Sequence, residues 1–184
     1  MIIFEIDTER LRLRPYTESD IPELVRLIGA REVAATTQRI PHPYTEESAR
    51  DFLANTRNDG EIRLAVTLRS DGRLCGGIGL RPESEHQRAE LGYWIGVPYW
   101  SNGYATEASR AMLRYGFETL KLHRIYASHF GGNSASRKVL LKLGMRHEGC
   151  MREHVCKWGE FIDLEMYAVL RTEWEKRKDR NLSE

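Results

Sequence analysis

ELGYWIGVPYWSNGYATEASRA, Glu90 to Ala111, is the stretch whose reading decides the fold. Glu90 to Val97 has the aromatic and β-branched content of a strand, carried by Tyr93, Trp94, Ile95 and Val97. Pro98 has no N–H to give a ladder and stops it. Ser101-Asn102-Gly103 is a turn, and a helix opens near Tyr104. A strand that passes through a glycine turn into a helix N-terminus gathers free N–H groups and the positive end of the helix dipole at one point, which suits an anion. Local pattern alone favours the plainer account of Gly103, a residue that fits a tight βα turn.

Outward from this stretch, 184 residues suit one domain with a full core. A content of 41% hydrophobic and 30% charged residues is that of an ordinary soluble globular chain. The net charge of +1 argues against a dedicated surface for nucleic acid or anionic membrane. No apolar run is long enough to span a bilayer, and MIIFEIDTERLRLRP lacks the layout of a secretion signal. Cys75, Cys150 and Cys156 cannot complete a disulfide set, so a cytoplasmic protein with reduced thiols is expected.

Ile2 to Glu5 and Leu11 to Leu13 read as short strands around a turn at Asp7-Thr8-Glu9. Leu11 and Leu13 alternate with arginines, the period of a half-buried strand. Thr17 to Asp20 starts a helix with Leu24, Val25 and Ile28 on its apolar face and Gly29 at its end. Arg31 to Tyr44 predicts a loop or broken helix facing substrate. Thr45 caps a second helix, which Asn58-Asp59-Gly60 closes. Ile62–Leu68 and Leu74–Leu80 form a hairpin over Ser70-Asp71-Gly72. Gly76, Gly77 and Gly79 in its second arm predict a bulge or close backbone packing. Arg81 to Arg88 reads as a polar loop. After the central helix come a strand at Ile125–Phe130, a helix capped by Asn133 or Ser134, and two last strands joined at Lys157-Trp158-Gly159-Glu160. The order is mixed α/β with one crossover at the central helix. Residues 1–176 are expected to form one domain, and 177–184 a charged, frayed tail.

Ala89 to Ala108, followed by Asn133-x-x-Ser136 and Lys142-Leu143-Gly144-Met145, resembles the GNAT superfamily of acetyl-CoA-dependent N-acetyltransferases. Its diphosphate motif, Gln/Arg-x-x-Gly-x-Gly/Ala, falls on Trp100 to Ala105. The glycine and the final small residue match, and Trp100 departs. Gly103-Tyr104-Ala105-Thr106-Glu107-Ala108, the opening Thr8 to Pro15, and Gly159-x-x-x-Asp163 resemble the branch that includes the ribosomal-protein-alanine N-terminal acetyltransferases. The combination is specific where each piece alone is weak, and it reverses the preference at Gly103.

The resemblance implies a mostly antiparallel sheet of about seven strands, splayed at the cofactor site and flanked by about four helices. It implies acetyl-CoA as cosubstrate, no metal, an amine acceptor such as a protein N-terminus, a polyamine or an aminoglycoside, and leaves room for a homodimer. The N–H groups of Ser101, Asn102, Gly103, Tyr104, Ala105 and Thr106 would hold the diphosphate. Ile95, Gly96 and Val97 would line the pantetheine arm, and one of their N–H groups would meet the developing oxyanion. Glu90 matches a carboxylate base, though a surface glutamate accounts for it equally well. Asn133 and Ser136 lie one helical turn apart beside the expected arm, and both also serve as helix-start residues. Ser136 and Tyr167 are candidates to protonate the leaving thiolate, with packing the plainer role for Tyr167. Arg137 can reach a CoA phosphate or simply solvate its helix. His147, Cys150, His154 and Cys156 crowd together, but their spacing matches no common zinc pattern. His129 reads as a packed or solvated strand residue. Tyr93, Trp94, Tyr99 and Trp100 can line an acceptor pocket or pack inside. A non-catalytic acyl-CoA-binding module and a nucleotide-binding protein are the competing classes; the lone glycine, without a following Lys-Ser/Thr, counts against the second.

Overall fold

The computed structural model describes residues 5–55 and 60–181. Among these, eight strands form one sheet in the order β1-β2-β3-β4-β5-β6-β8-β7. They are β1 (Ile6–Asp7), β2 (Leu11–Arg14), β3 (Ile62–Leu68), β4 (Leu74–Glu83), β5 (Arg88–Ile95), β6 (Arg124–Phe130), β7 (Arg146–Lys157) and β8 (Glu160–Leu170). The helices are α1 (Ile21–Ile28), α2 (Arg31–Ala34), α3 (Glu46–Asn55), α4 (Tyr104–Arg114), α5 (Ser134–Lys142) and α6 (Arg171–Asn181).

Every pairing is antiparallel except β5 with β6, which α4 joins by a crossover. That parallel ladder is short. It holds Arg88–Glu90 against Arg124–Tyr126 and then ends, although β5 continues to Ile95 and β6 to Phe130. Each strand keeps its outer partner, β4 and β8, along its whole length. The sheet therefore splays open with Glu90 and Tyr126 at the vertex.

Two cores cover its two faces. One packs α4, α5 and the start of α6 on Leu11, Leu80, Leu91, Ile125 and Val169. The other packs α1 and α3 on Ala65 and Leu74. The alternation of β5 sorts its side chains between them: Trp94 joins the second core and Tyr93 the first.

The expected architecture holds, with one strand and two helices more. The first strand, β1, lies at Ile6–Asp7 rather than ending at Glu5, and takes Asp7 from the expected turn; it is created by Ile6↔Leu13 and Asp7↔Arg12 pairing across a turn in which the Thr8 N–H reaches the Leu11 carbonyl (2.9 Å). Of the expected first strand, Ile2 to Phe4 lie outside the described residues, as do Asn58 and Asp59 of the expected helix end. α2 turns part of the Arg31–Tyr44 segment into a single helical piece because Val33 and Ala34 are buried. α6 is anchored by Trp174 against Phe117 (5.4 Å) and by the Leu170 N–H on Glu173 (3.1 Å), and it runs through position 177. Arg81–Arg88 is mostly strand rather than loop. β4 and β5 pair as far as Glu83↔Arg88, and those two side chains meet at 2.7 Å. Both expectations for the β4 glycines are met. β3 and β4 shift register beside Gly76, and a Cβ on Gly79 would fall 2.6 Å from the Ile62 carbonyl oxygen of β3.

A part-buried ion pair fixes α1 to the sheet. Arg14 donates twice to Asp20 (both 2.7 Å), and the Thr17 N–H donates to the same carboxylate (2.8 Å). Burial alone would raise this carboxyl, but the Arg14 guanidinium and Thr17 outweigh it and hold it below the ordinary range. Asp20→Asn leaves Arg14 facing a neutral group and is expected to cost about 3 kcal/mol. A depressed folded-state pKa contributes stability above the unfolded value, and that stability is lost as pH falls through the folded value. The gap between wild type and variant in urea unfolding should therefore be full at neutral pH and close below about pH 4.

Candidate active site

The splay opens into a cavity of about 480 Å³, within the range of small-molecule sites. Glu90 stands at its vertex, on the α1/α3 face. Its carboxylate accepts from Arg39 (2.8 Å) and lies 3.6 Å from Arg81. Tyr93, His129 and Ser136 line the same cavity. Tyr93 belongs to the α4/α5 face, and the His129 ring stacks on Tyr167 of that core. The cavity thus passes through the sheet, with a carboxylate toward one face and a phenol toward the other.

The edge of β5 that leaves β6 is the polar wall of the cavity. The Gly96 N–H reaches the Cys75 carbonyl of β4 (2.9 Å), so it does not face the cleft. Antiparallel alternation then turns the backbone of Tyr93 and Ile95 toward the open edge. Val97 begins a short 3-10 turn with Pro98 and Tyr99. Of the three expected positions along this edge, Ile95 presents its N–H, and Tyr93 joins it.

At the end of β5 the chain turns into α4 through Ser101 (φ 63°) and Gly103 (φ 80°). A Cβ on Gly103 would meet only Arg10 Nη2, at 3.5 Å. Conformation rather than crowding selects glycine here, and the space before the helix start is open. Trp100, where the family motif has a polar residue, donates its indole N–H to the Ile95 carbonyl (2.7 Å). Arg10, in the turn just before β2, struts the glycine turn: it donates to the Asn102 carbonyl (3.0 Å) and to Glu107 (2.7 Å), and Thr8 donates to Glu107 as well (2.6 Å). Burial pushes the Glu107 carboxyl up, but Thr8 and Arg10 more than reverse this and keep it below the ordinary range.

Asn133 caps α5, its side chain accepting from the Ser136 N–H (3.0 Å). Ser136 is half-buried beside Tyr93, and Arg137 is exposed on α5. Tyr167 stands apart from this group. It is buried in the core, sandwiched between His129 (5.3 Å) and His147 (5.1 Å), and it does not line the cavity.

Three buried side-chain polar atoms among the described residues lack a hydrogen-bond partner: Tyr93 Oη, Ser109 Oγ and His129 Nε2. Two of these residues line the cleft, where a bound group can satisfy them. Burial pushes the Tyr93 phenol up to about 12, against a small lowering by Ser136. His129 Nδ1 lies 2.8 Å from the Phe130 carbonyl, so the neutral ring carries its proton there and leaves Nε2 as an acceptor. Of the crowded His and Cys residues, His147 meets Glu165 (2.6 Å), while Cys150 and Cys156 are exposed. No group of three or more His, Cys, Asp or Glu among the described residues is placed to hold a metal ion.

The Arg10–Glu107 strut, the Arg39 contact and the unpaired Tyr93 and His129 atoms were not legible in the sequence as site features. The opening Thr8-Glu9-Arg10 was visible as a motif, but nothing in it points to a partner at position 107.

Comparison with known proteins agrees with this geometry. The family described as "Acetyltransferase (GNAT) domain" matches residues 10–146. YnaD of Bacillus subtilis (strain 168), an N-acetyltransferase by name, is 33% identical over 170 residues, covering 92% of this chain and 98% of that one. The ribosomal protein uS5-alanine N-acetyltransferase of Escherichia coli (strain K12) is 32% identical over 84 residues, 46% of this chain and 43% of that one. The crystal structure of a GNAT-family acetyltransferase from Bacillus anthracis superposes with a TM-score of 0.83 at 31% identity, over 92% of this chain and 100% of that one. The chain belongs to the GNAT acetyltransferases and is an acyltransferase.

Proposed function

We propose that the protein moves the acetyl group of acetyl-CoA to a primary amine by direct attack of the amine on the thioester. The observation that carries this reading is the splay itself: an unpaired strand edge leads from the Glu90 vertex to the glycine turn at the start of α4. The chain's own residues fit the cosubstrate. The N–H groups from Ser101 to Thr106 suit a diphosphate. The free edge of β5 suits a pantetheine amide, and a backbone N–H of Tyr93 or Ile95 suits the charge that develops on the thioester oxygen. Asn133 and Arg137 flank the arm. Glu90 takes the proton that the amine must lose, directly or through water. On the opposite face Tyr93, with Ser136 beside it, gives a proton to the departing sulfur. Tyr167 packs beneath the site and supports the His129 ring.

One contact favours a second reading. Arg39 sits on the carboxylate that should act as base, as it would in a module that binds an acyl-CoA without turning it over. Two measurements decide. Acetyl-CoA at 100 times its Kd should stabilise the fold by about 2.7 kcal/mol, a rise of roughly 5–10 °C in Tm, while ATP and NAD do not. Thiol release with a panel of amines should then follow. No shift with any CoA ester removes both readings, and a shift without thiol release leaves the binding module.

A further inference from the structure

The segment between α2 and α3 crosses the mouth of the splay on the face that holds Glu90. Gln38 donates from Nε2 to the Ser128 hydroxyl of β6 (3.2 Å), and Arg39 donates from Nη2 to Glu90 of β5 (2.8 Å). Two consecutive side chains thus bridge the two strands that diverge. The backbone carrying them is pinned from the far end of the sheet. Lys157, at the end of β7, sends its ammonium to the Thr37 carbonyl (2.5 Å) and to the Ile40 carbonyl (3.2 Å). Those two carbonyls flank Gln38 and Arg39. Lys157 is 8% exposed, and a buried ammonium is costly unless its donors are satisfied, so the strap and the hairpin end hold each other.

The two ends of this arrangement differ in firmness. Lys157 is itself buried and its two contacts are part-buried. The Arg39 side chain is 53% exposed, so its ion pair with Glu90 is screened by water and exchanges readily. A cationic amine that approaches Glu90 meets two guanidinium groups already on one carboxylate oxygen, Arg39 at 2.8 Å and Arg81 at 3.6 Å; a third cation is repelled, and Arg39, the nearer of the two, is the one it must replace.

We propose that Gln38 and Arg39 occupy the acceptor position of the free enzyme and select the acceptor by having to be displaced, while Lys157 is a positioning residue that keeps their backbone in place. The proposal rests on the acetyl-transfer reading of the site. An acceptor that replaces both side-chain contacts competes best. Such a molecule has a primary ammonium for Glu90 and, a few bonds away, an amide or similar polar group for Ser128. A plain alkyl amine replaces the first contact only and leaves the second unmade.

Thiol release from acetyl-CoA by the full chain tests this, with an alanine-initiated pentapeptide, spermine and n-butylamine as acceptors. Arg39→Ala should lower the KM for n-butylamine by about threefold or more and leave the KM for acetyl-CoA unchanged, a split that general loosening does not produce. Arg39→Lys, which keeps a cation on Glu90, should restore the wild-type KM. An n-butylamine KM for Arg39→Ala that is raised, or within about threefold of wild type, overturns the proposal. Hydrogen exchange supplies a readout free of activity: the amides of Thr36 and Thr37, which donate to the Val33 and Ala34 carbonyls, should exchange about tenfold faster in Lys157→Met than in wild type, and unchanged protection overturns the part given to Lys157. If no amine releases thiol with any variant, the acetyl-transfer reading fails, and with it the displacement proposal; the exchange result still reports whether Lys157 pins the strap.

Discussion

Glu90→Gln is expected to lower the turnover of the amine that thiol release identifies by about 100-fold, with the KM for acetyl-CoA unchanged. The substitution keeps the size of the side chain and an oxygen for Arg39, so the splay and the strand edge remain as they are. What it removes is the group at the vertex that can accept a proton. The carboxylate lies where β5 and β6 part, next to the polar edge along which the thioester is proposed to lie. The loss should be deepest at low pH, where nearly all the amine carries its extra proton and the need for a base is greatest. It should shrink as pH rises toward the pKa of the amine and solution supplies free base. Initial rates for both proteins between about pH 6 and 9 check this. A constant ratio of rates points away from proton transfer, and equal rates remove Glu90 from the chemistry.

The parts of the fold legible in the sequence are those whose causes are local. The strand from Glu90, the stop at Pro98 and the helix start at Tyr104 each follow from residues within a turn of one another. The structure places them at Arg88–Ile95 and Tyr104–Arg114. Asn133 was legible as a cap for the same reason, since its partner is the N–H three residues on. The start of α6 was hidden because Trp174 is its one large apolar residue before position 177, so no period betrays it. The ladder through Arg81–Arg88 was hidden because charged residues alternate there without an apolar face. Within the site, the splay came from the family resemblance and not from periodicity: nothing local to β5 says where β6 leaves it. The Arg10–Glu107 strut joins residues 97 apart, and the Lys157–Thr37 contact residues 120 apart. Such pairs exist only once the chain has folded. Trp100 shows the opposite error. It departs from the motif where a polar residue is usual, yet its indole N–H is itself a polar group, donating to the Ile95 carbonyl.

Tyr93→Phe should move stability and activity in opposite directions, which separates Tyr93 from Tyr167 as the tyrosine that serves the departing sulfur. The Tyr93 hydroxyl is buried without a partner. Removing it relieves an unsatisfied polar group and should stabilise the free protein by about 1 kcal/mol, seen as a higher Tm. The same change removes the one phenol that lines the cleft on the α4/α5 face beside Ser136, so turnover should fall about 100-fold. Because burial raises this phenol to about 12, it stays protonated throughout the assay range. The effect should accordingly be flat between about pH 6 and 9, in contrast to the sloping effect of Glu90→Gln. Tyr167→Phe keeps the ring between His129 and His147 and should leave turnover within about threefold of wild type. Turnover that survives Tyr93→Phe but collapses in Tyr167→Phe would return the proton to Tyr167. A Tyr93→Phe protein less stable than wild type would mean that the hydroxyl has a partner in solution, and that burial without one is not its state. Stability gained where catalysis is lost is the behaviour of a group held unsatisfied for a ligand.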